Sequence, residues 1–116
     1  MLLKLEPTDG VPLYHQIATA IRRAIREEEV SEGDRLPATR DLATSLGVNM
    51  HTVARAYGIL RDEGLLEVRR GRGAIVTAGS AAVAGLTDLV AGIVAEARHQ
   101  GFGRDQLIEL IIKEYS

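Results

Sequence analysis

Two helical apolar patterns meet across only three residues near the middle of this chain, and no other feature restricts the fold as much. The first runs through Arg40-Asp41-Leu42-Ala43-Thr44-Ser45-Leu46 and sets Leu42, Ala43 and Leu46 on one face. Gly47 suits the left-handed residue just beyond a helix end. After Val48 comes Asn49, a favoured N-cap, with Thr52 three residues on at the end of the next first turn. The second pattern places Val53, Ala56, Tyr57 and Leu60 at i, i+3, i+4 and i+7, and Gly64 closes it. A connection this short, with glycine in the turn, excludes long antiparallel arms and predicts a steeply crossed helix-turn-helix.

The flanking segments extend that core in both directions. Pro12 is placed to open an earlier helix, because the first turn needs no donor from it. Leu13, Ile17, Ile21 and Ile25 then recur every four residues, until Glu27-Glu28-Glu29 and Gly33 end the stripe. After Gly64 the period changes. Leu65-Leu66-Glu67-Val68 and Ala74-Ile75-Val76-Thr77 read as short strands joined by Arg69-Arg70-Gly71-Arg72-Gly73. Gly71 and Gly73 supply the positive φ of a tight tip. A lone two-stranded ribbon is only marginal, so it is expected to lean on the helices. A helix-turn-helix followed by such a hairpin is a winged helix.

Beyond a small hinge at Ala78-Gly79-Ser80, Val83, Leu86, Leu89, Val90, Ile93, Val94 and Ala97 form a wide helical stripe. Gln100-Gly101-Phe102-Gly103 reads as a turn, and Leu107, Ile108, Leu110, Ile111 and Ile112 crowd a final helix of about twelve residues. The expected architecture is mostly α with a small β-hairpin: a winged helix-turn-helix over residues 10–77 and a helical dimerisation tail over 78–116. Apolar content is 46% with 3% aromatics, so the core is expected to be aliphatic. The absence of cysteine excludes disulfides and thiolate zinc sites. No uninterrupted run approaches 18 apolar residues, so the expectation is a soluble cytoplasmic chain with no membrane partner.

Formal net charge is −2, which conceals an asymmetry. From Arg35 to Thr77 there are seven arginines against four acids, whereas acids collect at Glu27–Asp34 and in the last quarter. Clustered arginine on one segment is the electrostatic mark of a nucleic-acid contact. The second helix of a helix-turn-helix enters the major groove with its N-terminal residues against base edges. That assigns Asn49, Met50, His51, Thr52 and Arg55 to double-stranded DNA, with Arg55 able to bind guanine O6 and N7 through two N–H groups. Asn49 also has capping to do. Arg40, at the start of the preceding helix, falls where that helix crosses the phosphate backbone. Arg69, Arg70 and Arg72 on the hairpin tip, without an acid between them, suit the backbone or a narrow minor groove.

Enzymatic readings find little support. His15, His51 and His99 lie in three separate segments without metal-ligand spacing, and Gly71-Arg72-Gly73 lacks the lysine and following helix of a P-loop. No enzyme and no cofactor are expected. The tail cannot hide its apolar surface within one copy. Val83, Leu86, Leu89, Val90, Ile93, Val94, Leu107, Ile108, Ile111 and Ile112 are therefore expected to form a two-fold homodimer interface, which buries one patch twice and supplies two reading heads.

Several ordered motifs resemble the GntR superfamily of bacterial transcriptional regulators. They are Pro12-Leu13-Tyr14-His15-Gln16-Ile17, Gly33-Asp34-Arg35-Leu36-Pro37-Ala38-Thr39-Arg40-Asp41-Leu42-Ala43, Leu46-Gly47-Val48-Asn49, Thr52-Val53, Ala56-Tyr57, Glu63-Gly64-Leu65 and Arg70-Gly71-Arg72-Gly73. The match covers about residues 10 to 77, and the short two-helix tail is similar to the YtrA subfamily. The resemblance implies phosphate contact by Arg40, base or backbone contact by Asn49, Met50, His51, Thr52 and Arg55, and wing contact by Arg70 and Gly71. Many members carry Ser-Glu where Ala38-Thr39 stands here, which leaves Asp41 to cap that helix by reaching back. Met50 stands where some relatives carry a polar, proline or arginine residue, and leaves operator preference open. The branch fused to an aminotransferase-like domain is not expected at this length. The tail is expected to be too small to enclose a pocket of several hundred cubic ångströms in one subunit, so a small-molecule effector, if there is one, belongs between subunits or near Gly79. The implied function is a dimeric repressor on a near-palindromic operator. The alternative is a winged-helix module that docks another protein without touching DNA.

Overall fold

The computed structural model describes residues 3, 5, 10–71 and 73–116. Its elements are α1 (Leu13–Arg26), α2 (Thr39–Leu46), α3 (Met50–Asp62), β1 (Leu66–Arg69), β2 (Gly73–Val76), α4 (Ser80–His99) and α5 (Arg104–Glu114). They fall into two compact units, the first ending at Ala84 and the second comprising Gly85–Ser116.

The first unit is built around the helix-turn-helix. Gly47 holds φ 70 and ψ 34, the left-handed conformation that ends α2, and its amide donates to the Thr44 carbonyl. Asn49 caps α3 by accepting from the His51 amide at 2.7 Å. Opposite that cap, Val53, Ala56, Tyr57 and Leu60 are buried against Ile17, Ala18, Ile21, Ala24 and Ile25 of α1 and Leu42 and Ala43 of α2. Burial of a Val, Leu or Ile side chain contributes about 1.5–3 kcal/mol, so this aliphatic cluster dominates the stability of the unit. Two polar contacts pin it. Arg22 forks onto Glu63 through Nε–Oε1 at 2.9 Å and Nη2–Oε2 at 2.7 Å, joining α1 to the end of α3. The Tyr57 hydroxyl donates to the Pro37 carbonyl at 2.7 Å, and burial pushes its pKa up to about 12.

Helix α2 starts differently from the expectation. Its N-cap is Ala38, no side chain caps it, and Asp41 makes no returning hydrogen bond. Asp41 remains in the first turn, where a negative charge is favoured by the helix dipole.

β1 and β2 pair antiparallel in the register Leu66–Val76, Glu67–Ile75, Val68–Ala74 and Arg69–Gly73. The ribbon gains a third edge that the sequence pattern did not suggest. Gly33 and Leu36 donate to Val76 and Ala74, each at 2.8 Å, Val76 donates back to Asp34 at 2.9 Å, and Arg35 bridges Ile75. The segment 33–36 thus satisfies the outer side of β2, while Leu66, Ala74 and Val76 turn inward to the core. The chain leaves the wing through Thr77, whose hydroxyl donates to Gly64 at 2.6 Å.

In the second unit α4 and α5 are joined through Gly101 at φ 80, and the Gln106 side chain accepts from the Gly103 amide at 2.8 Å. No residue of α5 is buried. α4 spans 20 residues and is long and apolar enough, by length and composition alone, to cross a membrane. No unbroken apolar run marks this, because Thr87, Asp88 and Glu96 interrupt the helix while valine, leucine and isoleucine keep its mean hydropathy high. Thr87 and Asp88 are half-buried, and Glu96 is exposed one helical turn beyond Ile93 and two turns beyond Leu89.

Candidate nucleic-acid interface

The N-terminal turn of α3 presents the expected residues to solvent. Asn49, Met50, His51 and Arg55 are exposed, and Thr52 is half-buried. Their exposure follows from the helical period, since Val53, Ala56 and Tyr57 take the inward face. Asn49 uses its side-chain oxygen for the cap, so its amide nitrogen is the group left to reach outward. Arg55 is not a loose cation: its guanidinium carbon lies 3.8 Å from the centroid of the Tyr14 ring of α1. The sequence pattern sets Tyr14 beside the apolar stripe of α1 and gives it no part in DNA contact. The 41 residues that separate it from Arg55 left no local pattern to reveal the contact.

Arg40 lies in the first turn of α2, exposed, and its side chain has no carboxylate partner among the described residues. Its backbone carbonyl accepts from the Thr44 hydroxyl at 3.0 Å.

The wing is less uniformly free than its composition suggests. Arg69 is paired with Glu67, through Nε–Oε1 at 3.1 Å and Nη2–Oε2 at 3.2 Å. Residues two apart on a strand share a face, which accounts for the pairing. Arg70 and Gly71 form the exposed turn, and Arg70 has no carboxylate partner among the described residues. Gly71 and Gly73 adopt φ 81 and 75, as the hairpin tip requires. Arg72 lies outside the described residues. Arg35 also lies against the wing. A Cβ added at Gly73 would meet Arg35 Nε at 3.5 Å, so this guanidinium runs alongside the strand that follows the tip. Its proximity depends on the third edge and was not visible from the hairpin sequence.

The residues expected to form a dimer interface also reach the surface. Val83, Leu86, Leu89, Val90 and Ile93 are exposed, as are Ile108, Ile111 and Ile112, while Val94 and Leu107 are half-buried. Within the second unit, Val90, Ile93, Val94, Leu107, Ile108 and Ile111 line one groove of ≈ 500 Å³ with Phe102 and, among its polar lining, Arg98 and Arg104. Leu86, Leu89 and Ile112 lie outside that lining. The tail therefore frames an open cleft of this size within one copy without enclosing a pocket. α4 and α5 splay around the Gly101 turn and leave the cleft open to solvent. Among the described residues no group of three His, Asp or Glu side chains is placed to hold a metal ion.

Comparison with known proteins places this architecture. Over 76 residues the chain is 34% identical to the HTH-type transcriptional repressor YtrA of Bacillus subtilis, covering 66% of this chain and 58% of YtrA. The chain thus spans little more than half the length of that relative. A solved structure of YtrA from Sulfolobus acidocaldarius, a GntR-family transcription factor, superposes with a TM-score of 0.61 at 32% identity, covering 97% of this chain and 96% of that one. The DNA-binding domain of AraR, solved in complex with operator ORX1, superposes with a TM-score of 0.57 at 26% identity, covering 66% of this chain and 93% of that one. The model of the gntR family of bacterial regulatory proteins matches residues 13–76, from the start of α1 to the end of the wing. With that match spanning more than half its length and a winged helix-turn-helix filling it, the chain belongs to the GntR family and is YtrA-like.

Proposed function

We propose that the protein is a repressor that binds a near-palindromic DNA operator as a homodimer, acting in the cytoplasm. Each subunit sets the N-terminal turn of α3 in a major groove, with Arg55 and the Asn49–Thr52 turn at base edges and phosphates. Arg40 takes a phosphate before α3, and Arg70 and Arg35 take the backbone beside it. Half-site centres then lie about one helical turn apart, on the order of 10 base pairs. The observation that carries this reading is a set of exposed arginine side chains, Arg40 and Arg70 above all, that have no carboxylate partner among the described residues and share one unit with an exposed, capped α3. The AraR domain in complex with its operator supports the same placement by similarity.

The apolar surface of the second unit supports pairing through α4 and α5. A helix with Leu86, Leu89, Val90 and Ile93 at 44–66% exposure presents too much apolar area to water for a lone copy. Membrane insertion fits α4 less well, because it would carry Asp88 and Glu96 into the hydrocarbon.

Titration of a fluorescent duplex carrying a selected site, against a scrambled duplex of equal length and at two salt concentrations, tests the reading. Saturable, site-preferring binding that weakens with salt supports it. No binding to any duplex at low ionic strength favours instead a winged helix that docks a protein, for which unpaired arginine has no use.

A further inference from the structure

The guanidinium of Arg55 is held by a residue on another helix. Arg55 lies on the exposed side of α3, and beneath it stands the ring of Tyr14 in the first turn of α1, 3.8 Å from the guanidinium carbon. Tyr14 is half-buried, and its ring lies 4.8 Å from that of His15 at an interplanar angle of 31°. A guanidinium stacks through its planar face, whereas its N–H bonds lie in the plane and project from the edge. The stack therefore fixes the orientation of the fork and consumes none of its donors. Among the described residues those donors meet no carboxylate and no hydrogen-bond acceptor.

A second contact determines where Tyr14 falls. Arg22 and Glu63 are joined by the forked pair at 2.9 and 2.7 Å, with a sequence separation of 41 residues. Tyr14 and Arg55 have the same separation. Two contacts with one offset mean that α1 and α3 run in the same sense, and the ion pair sets their register about 12 Å from the stack, eight residues along each helix. A slide of α1 along α3 that carried Tyr14 from beneath Arg55 would break the pair.

We infer that Tyr14 is a positioning residue for sequence reading: its ring orients the Arg55 fork edge-outward before DNA arrives. An arginine left free loses considerable rotamer freedom on docking, and a stacked one has already lost it. The inference rests on the proposed DNA contact and adds α1 to the reading apparatus.

Tyr14→Leu and Tyr14→Phe, titrated against a selected operator duplex and a scrambled one, test it. Tyr14→Leu is expected to lower operator affinity about two- to fivefold, the scale of an exposed cation–π contact, with the scrambled duplex and the salt slope unchanged. Tyr14→Phe keeps the π face and is expected to match the wild type. In an Arg55→Ala background Tyr14→Leu should cost nothing more. Equal losses on both duplexes, a loss by Tyr14→Phe as large as by Tyr14→Leu, or full additivity with Arg55→Ala would each overturn the role. Proton NMR of the free proteins gives an independent readout: the ring-current shift of the Arg55 δ protons should vanish in Tyr14→Leu and persist in Tyr14→Phe. Its persistence in Tyr14→Leu would show that the stack does not exist in solution. A wild type that selects its operator while Tyr14→Leu is silent defeats this inference alone, whereas a wild type that binds no duplex defeats the proposed function with it.

Discussion

Replacing Glu67 by glutamine should tighten DNA binding, which is the reverse of what most surface substitutions near an interface do. Arg69 is tied to Glu67 through two contacts of 3.1 and 3.2 Å on an exposed strand face. An exposed pair of this kind contributes about 0.2–1 kcal/mol, and the Glu67 carboxylate also repels any phosphate that approaches the wing. Glu67→Gln removes both obstacles and leaves Arg69 free beside Arg70. The expected gain is about 0.5–1 kcal/mol near 0.1 M salt, or roughly two- to fivefold in affinity. If Arg69 then engages one further phosphate, the slope of log K against log salt steepens by about 0.9. Phosphate contacts carry no sequence information, so operator and scrambled duplexes should gain alike. Anisotropy titrations at 50, 100 and 200 mM potassium chloride would measure all three quantities. Unchanged or weaker binding at every salt concentration would refute the account of the wing, and tightening confined to the operator would refute its assignment to the backbone.

Other substitutions separate base reading from anchoring and test the local architecture. Arg55→Ala should cost about 1–3 kcal/mol on the operator and relax its preference, whereas Arg70→Ala should weaken operator and scrambled duplexes equally and reduce the salt slope by about one; equal losses on both duplexes for Arg55→Ala would contradict its base-reading role. Asn49→Ala removes the acceptor of the His51 amide and should lower unfolding stability by about 1 kcal/mol, read by chemical denaturation. The Tyr57 hydroxyl, raised by burial from 10.0 to about 12, favours the folded state fully below pH 10, and that contribution should fade as pH rises from 10 to 12. Tyr57→Phe should flatten that decline, and a decline of the same size in Tyr57→Phe would assign it to other groups.

The helix-turn-helix was the most legible part of the chain, since two periodic apolar sets and a Gly47–Asn49 turn act within a few residues of one another. Gly47, Asn49, Gly71 and Gly73 all adopt the backbone or capping geometry their chemistry implies. What escaped the sequence depends on tertiary placement. Gly33-Asp34-Arg35-Leu36 has no alternation to mark it as a strand edge, so the support it gives β2, and Arg35 with it, appears only once the wing has folded back. Asp41 was expected to cap α2 and does not: the helix starts at an Ala38 N-cap with no side-chain cap. The Glu67–Arg69 pair follows from strand geometry, which sets residues two apart on one face, whereas net charge along the wing does not distinguish Arg69 from Arg70. Arg55 was singled out correctly as exposed, but its stack on Tyr14 follows from how α1 crosses α3, which no local pattern encodes.

The number of chains on one duplex tests the central claim most directly. Native mass spectrometry of the protein with a single selected operator should show two copies per duplex, and shortening the duplex to one half-site should lower the affinity sharply. A complex of one chain per full operator, bound as tightly as to a half-site, would contradict the account.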